Sequence, residues 1–216
     1  MFLRLITLLA LLALPAGAAP LRILAFGDSI TEGYGLPADQ GLVPQLQDWL
    51  KARGHDDIQI VNAGASGDTS YGGRVRIAIS LRRHAPVDAV LVELGGNDLL
   101  MGWSAEQTRV NLDALLEQAG AGGRPLLLAG IANPEHDTAL KAEWAAIWPK
   151  LARKHDALLV PNIYAAVAED SRAMRRVFLQ DDGIHPSARG VAMIVELIGP
   201  KVEELALRAR AKAPTE

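Results

Sequence analysis

Leu21-Arg22-Ile23-Leu24-Ala25-Phe26-Gly27-Asp28-Ser29-Ile30 sets a nearly continuous apolar run against a turn that carries a small hydroxyl residue. Such a run beside turn formers reads as a short strand buried on both faces. The pattern recurs: Ile58 to Asn62, Val87 to Leu94, Leu126 to Ile131 and Ala157 to Pro161 are further apolar runs of strand length. Helical patterns fall between them, at Gly41 to Arg53 with a stop at Gly54, from Ser104 onward, at Ala139 to Lys154, and from Ser187. Ser104 and Gln107 have capping-box spacing, and Leu112, Leu115, Leu116 and Ala119 form an apolar stripe ahead of Gly120. In the last helix Val191, Ile194, Val195 and Ile198 share a face, and Gly199-Pro200 is expected to kink or restart it. Strand and helix in alternation predict an α/β fold, a three-layer α/β/α sandwich on a five-stranded parallel sheet. Ligands of such sheets bind at the carboxyl ends of the strands. Ser29, Gly67 and Asn97, which follow the first, second and third strands, therefore share one edge.

The 216 residues suit one domain, and half are hydrophobic with 22% charged, an ordinary globular composition. With a net charge of −3, the short basic clusters at Arg172, Arg175 and Arg176 and at Arg208, Arg210 and Lys212 read as solvated helix faces. No nucleic acid or anionic membrane surface is implied as a partner. Arg4, the apolar run Leu5 to Leu14, Pro15 and the small residues Ala16-Gly17-Ala18-Ala19 make a secretory signal peptide over residues 1–18, cleaved after Ala18. The run is far shorter than the roughly 20 residues of a bilayer span. Residues 19–216 are then a single exported domain, in the periplasm or the medium, without a stable membrane anchor. Cysteine is absent, which excludes disulfides, thiolate metal sites and a lipid-modified cysteine. There is no internal repeat, and the polar end from Lys212 to Glu216 is expected to fray.

A serine hydroxyl becomes a useful nucleophile when a base takes its proton, a third group holds the base, and donors await the oxyanion. Asp182-Gly183-Ile184-His185-Pro186 supplies a carboxylate and an imidazole, with Asp181 an equal candidate on physics alone. Gly67 suits a backbone that approaches a ligand or takes positive φ. The Asn97 amide can donate to an oxyanion that the carboxylates of Asp28 and Asp98 would repel, and those two acids read as loop braces. His55, His84, His136 and His155 read as structural. No G-x-S-x-G occurs, so the nucleophile elbow of α/β-hydrolases is absent. No His or carboxylate pair has ligand spacing, so neither a metal nor another cofactor is expected.

Four ordered blocks remain: Gly27-Asp28-Ser29-Ile30, Gly64-Ala65-Ser66-Gly67-Asp68, Gly95-Gly96-Asn97-Asp98 and Asp182-Gly183-Ile184-His185. Together they resemble the SGNH (GDSL-type) hydrolase family, with Ile30 where leucine is usual. Ser66-Gly67-Asp68-Thr69-Ser70, Val92-Glu93-Leu94-Gly95-Gly96-Asn97-Asp98 and Gln180-Asp181-Asp182-Gly183-Ile184-His185-Pro186 look most like the exported arylesterase, thioesterase I and lysophospholipase branch. The resemblance implies a flavodoxin-like SGNH fold and an acyl-enzyme on Ser29. It makes His185 the general base and Asp182, rather than Asp181, its partner, with the Ser29 N–H, the Gly67 N–H and the Asn97 side chain as oxyanion donors. By analogy Met101, Trp103, Ile131, Asn133 and Pro134 line an acyl groove. The implied substrates are small acyl esters or thioesters, lysophospholipids among them, and the small-residue-rich sheet edge fits a monomer as well as a weak dimer. Two rivals are a carbohydrate O-acetyl esterase of the envelope and a non-catalytic phosphate- or nucleotide-binding module. The latter needs none of Ser29, Asn97, Asp182 and His185.

Overall fold

In the computed structural model, which describes residues 19–132, 138–167 and 176–212, the apolar runs form β1 (Leu21–Gly27), β2 (Ile58–Gly64), β3 (Ala89–Glu93), β4 (Leu126–Ala129) and β5 (Leu158–Val160). All pairings are parallel, in the order β2-β1-β3-β4-β5. The chain builds outward in opposite directions from β1, so the crevice of this sheet opens at its carboxyl end, at Asp28 and Ser29. Gly27 is level with Gly64 on one side and Glu93 on the other, which brings the ends of three strands to one edge.

The helices are α1 (Ser29–Glu32), α2 (Leu42–Lys51), α3 (Ser70–Arg83), α4 (Gly96–Leu100), α5 (Ala105–Ala119), α6 (Thr138–Lys154) and α7 (Ala188–Lys212). α2 packs with α7, and α3, α5 and α6 pack in sequence, giving a helical layer on each face of the sheet. The expected strands and four long helices are present; β1 and β2 run one and two residues further than expected, to Gly27 and Gly64, while β3, β4 and β5 are trimmed by one or two residues at their ends. Ser104 forms the full capping box with Gln107, and Leu112, Leu115, Leu116 and Ala119 are all buried. Sheet residues Ile23, Leu24, Phe26 and Leu91 and helix residues Trp144 and Trp148 are among the large side chains sealed in the core. Truncating one such leucine to alanine costs about 2–5 kcal/mol.

Three elements and one break depart from expectation. α3 has no periodic signature in the sequence because its inner face is built from Ser70, Gly73, Ile77 and Ser80, too small and polar to make an apolar stripe. The one-turn helices α1 and α4 are too short for any periodicity. α7 runs uninterrupted through Gly199-Pro200. Pro200 and Glu196, whose carbonyl loses its helical donor, lie on the solvent face where water can replace the bond. Lys212 is the last residue of α7 rather than frayed, its Nζ donating to the Gly123 carbonyl at 2.7 Å, and residues 213–216 lie outside the described residues.

Candidate active site

β1 ends at Gly27, and Asp28 caps the turn that follows, its Oδ1 accepting from the Ile30 N–H at 3.1 Å. This places Ser29 as the first residue of α1, nearly buried, at the switch point of the sheet. α1 ends after one turn at Gly33, whose N–H donates to the Ser29 carbonyl. Thr31 anchors it from beneath by donating to Glu93 Oε2 at 2.8 Å.

His185 arrives on a tight loop held by an antiparallel bridge between Leu179 and Pro186 and by the Gln180 N–H bond to the His185 carbonyl at 2.8 Å. Asp182 sits inside that loop. Its Oδ1 accepts from the Ile184 and His185 N–H groups at 2.9 and 3.0 Å, and its Oδ2 lies 2.6 Å from His185 Nδ1. With Nδ1–H donating to Asp182, Nε2 is left to accept from the Ser29 hydroxyl at 2.9 Å. Burial alone raises the Asp182 carboxyl, but the His185 ring and the two backbone donors outweigh it and hold Asp182 below its ordinary value. Asp182, not Asp181, is therefore the residue that holds His185.

Gly67 adopts φ +79°, as a positive-φ position requires, and its N–H and that of Ser29 have no acceptor among the described residues. Arg76 fixes the backbone around them. Its guanidinium donates to Asp68 Oδ2 at 2.8 and 2.9 Å, to the Ala63 carbonyl at 2.8 Å and to the Gly27 carbonyl at 3.1 Å. It also lies over the Phe26 ring. Asn97 Nδ2 donates to the Asp68 carbonyl at 2.8 Å and, at a longer 3.3 Å, to Asp28 Oδ2. The second bond is weak enough to yield to a stronger acceptor. Asp98 is a brace as expected, buried and accepting from the Ser70 N–H and hydroxyl and from Thr108. Asp28 braces as well, and burial, tempered by the Ile30 N–H, pushes it up to about 6.

Of the expected groove residues, Met101 is exposed one turn beyond Asn97, and Trp103 is half-buried. Ile131 is sealed beneath Gly96 with its carbonyl accepting from Trp148, so it supports the edge and does not line an open groove. Asn133 and Pro134 lie outside the described residues, as does His136. His55 and His155 bond Glu203 and Asp113, and His84 caps α3. Two further residues at the site have no sequence signal: Tyr34, whose ring is 4.8 Å from that of His185, and Tyr164, whose hydroxyl donates to the Ile184 carbonyl at 2.9 Å. Neither has a spacing that betrays it. The cleft at Ser29 is lined by Tyr34, Leu36, Gln180, His185 and Pro186. A wider cavity of about 660 Å³ opens at the opposite edge, beside the start of β4. Its Arg124, Arg208 and Lys212 already donate to the Val87, Asp156 and Gly123 carbonyls.

A hydroxyl backed by an imidazole and a carboxylate, beside two free N–H groups and an amide, is equipped to attack a carbonyl and stabilise the resulting oxyanion. Known proteins resemble this chain in sequence and in fold. The GDSL-like lipase/acylhydrolase family model matches residues 25–193. Esterase TesA of Pseudomonas aeruginosa is 35% identical over 91% of this chain and 95% of its own. Thioesterase 1/protease 1/lysophospholipase L1 of Escherichia coli is 34% identical over 91% and 90%. A crystal structure of TesA superimposes with a TM-score of 0.77 at 33% identity, covering 85% of this chain and 99% of that one.

Proposed function

The chain belongs to the GDSL-like lipase/acylhydrolase family, and we propose on that footing that it hydrolyses carboxylic esters and thioesters through an acyl-enzyme on Ser29. The observation that carries this reading is the 2.9 Å approach of Ser29 Oγ to His185 Nε2 with Asp182 2.6 Å behind the ring. His185 takes the hydroxyl proton as Ser29 attacks the acyl carbonyl, and Asp182 stabilises the imidazolium. The oxyanion is received by the Ser29 and Gly67 N–H groups and by Asn97, whose amide gives up its long bond to Asp28. The imidazolium returns the proton to the departing alcohol or thiol, and water repeats the cycle on the acyl-enzyme.

Relatives that carry the names esterase, thioesterase, lysophospholipase and arylesterase support carboxylic and aryl esters, acyl thioesters and lysophospholipids as substrates. The exposed Met101 at the rim suits an acyl chain. Residues 1–18 serve as a signal peptide that delivers the enzyme to the periplasm, and no helix among the described residues is long and apolar enough to cross a membrane.

The test is the initial rate on p-nitrophenyl esters from acetyl to palmitoyl, with Ser29→Ala as blank. A peak at medium or long chains that vanishes in the variant supports a lipid-type esterase. A peak at acetyl moves the substrate to carbohydrate O-acetyl groups, and equal rates for both proteins refute the reading.

A further inference from the structure

The reaction at Ser29 makes no direct use of Glu93, an enclosed acid beneath it. Glu93 closes β3 level with Gly27, and it is 1% exposed. Oε2 accepts from Thr31, while Oε1 has no partner among the described residues. None of the ion pairs among those residues includes Glu93. Its berth depends on the absence of a side chain at Gly27, where a Cβ would stand 2.8 Å from Glu93 Oε2 and collide with Thr31 Oγ1. The neighbouring enclosed carboxyl is Asp28, 2% exposed, near enough for the two side chains to share a hydrogen bond when one is protonated, and the Asp28 N–H also faces Glu93. Two neighbouring enclosed carboxyls, neither of them ion-paired among the described residues, are stable when they share a proton. The oxygen free to carry it is Glu93 Oε1.

We propose that Glu93 is a positioning residue acting as a neutral carboxylic acid, its Oε1–H donating to the Asp28 carboxylate and thereby fixing the group that caps the Ser29 turn and aims the Asn97 amide. The inference rests on the reaction proposed at Ser29. Complete burial and the neighbouring Asp28 charge both raise the Glu93 carboxyl well above its ordinary value, as a resident proton requires. The other titratable groups facing the pair are Asp68 from the β2–α3 loop, His185, Tyr164 and the Arg76 guanidinium against the Gly27 carbonyl. Drawing the Asp28 charge toward the interior weakens its hold on Asn97 and its repulsion of the oxyanion.

Two variants of the full chain separate a neutral acid from a carboxylate and from plain packing. Glu93→Gln keeps an acceptor for Thr31 and a donor for Asp28; Glu93→Met keeps the volume and removes both. The readouts are kcat, KM and the pH profile on a p-nitrophenyl ester from about pH 5 to about pH 9. Glu93→Gln is expected within about 3-fold of the parent kcat with the same profile, and Glu93→Met about 10²-fold lower in kcat with KM unchanged. In an Asn97→Ala background the same Met substitution should cost only about 3-fold, because its effect runs through that amide. Equal losses for Gln and Met, parental kcat in Glu93→Met, or an undiminished loss in the Asn97→Ala background each overturn the proposal. Should Glu93→Met not fold, Thr31→Val replaces it, by freeing the other carboxyl oxygen, with a loss of about 10-fold expected and the same reversals. Ser29→Ala measured alongside separates the two readings: if it retains activity the nucleophile is misassigned, whereas the outcomes above concern Glu93 alone.

Discussion

Ser29 and His185, separated by 156 positions in the chain, meet Oγ to Nε2 at 2.9 Å. The contact joins the switch point of the sheet to a loop that has its own bridge and its own internal carboxylate. Each partner is thus preset by local structure before the two come together, and substrate need not assemble them.

Asp182 should matter where its neighbour does not. Asp182→Asn leaves the loop bonds largely possible but weakens the hold on the imidazole tautomer, and kcat should fall about 10³- to 10⁴-fold. Asp181→Asn should be indistinguishable from the parent. Steady-state kinetics of the two variants on one ester decide it, and a comparable loss in both would detach His185 from Asp182.

Asn97→Ala should lower kcat about 10²- to 10³-fold with little change in KM, since the amide binds the oxyanion more tightly than the ground-state carbonyl. A loss confined to KM would make Asn97 a ground-state contact. Arg76→Lys tests the scaffold: lysine cannot fork to Asp68 while reaching the Ala63 and Gly27 carbonyls. Its expected cost is about 1–3 kcal/mol of stability by denaturant unfolding, together with a lower kcat as the Gly67 loop loosens.

Acid and alkali should act on stability through different carboxyls. Asp182 is held below its ordinary value, so its stabilisation is present at neutral pH and is lost as pH falls through its folded value, below the ordinary 3.8. Glu93 has the opposite sign. Its folded value lies above the ordinary 4.5, so across the window between them the native chain keeps a proton that the unfolded chain releases, and stability declines as pH rises. Asp28, raised from 3.8 to about 6, adds to the decline over its own window. Glu93→Gln removes the Glu93 contribution. The Tm of Glu93→Gln minus that of the parent should therefore increase from pH 4 toward pH 8, and a constant difference would mean that Glu93 is ionised in the folded protein.

Most of this architecture was legible in the chain because its signals are local. Short apolar runs such as Leu21 to Phe26 mark strands buried on both faces, and Ser104 with Gln107 marks a helix start that the structure reproduces bond for bond. The four blocks placed Ser29, Gly67, Asn97 and the Asp182–His185 pair at one edge, and the choice of Asp182 over Asp181 came from resemblance until the loop geometry supplied a physical reason. What escaped notice depends on tertiary contact. α3 buries glycine and serine against α5, so it carries no stripe. Tyr34 reaches His185 only through the fold, and the enclosure of Glu93 beside Asp28 depends on the strand register, which sequence does not display. Gly199-Pro200 does not break the helix because Pro200 and Glu196 lie on its solvent face, and that exposure, which sequence does not display, decides whether a lost helical bond matters.

The most direct measurement is the intact mass and peptide map of the protein after reaction with an alkyl p-nitrophenyl phosphonate, which traps an activated serine as a tetrahedral adduct. The account predicts one adduct per chain, on the peptide containing Ser29, absent from Ser29→Ala and formed about 10³-fold more slowly in His185→Ala. An adduct on another residue, or equal labelling of Ser29→Ala, would contradict it.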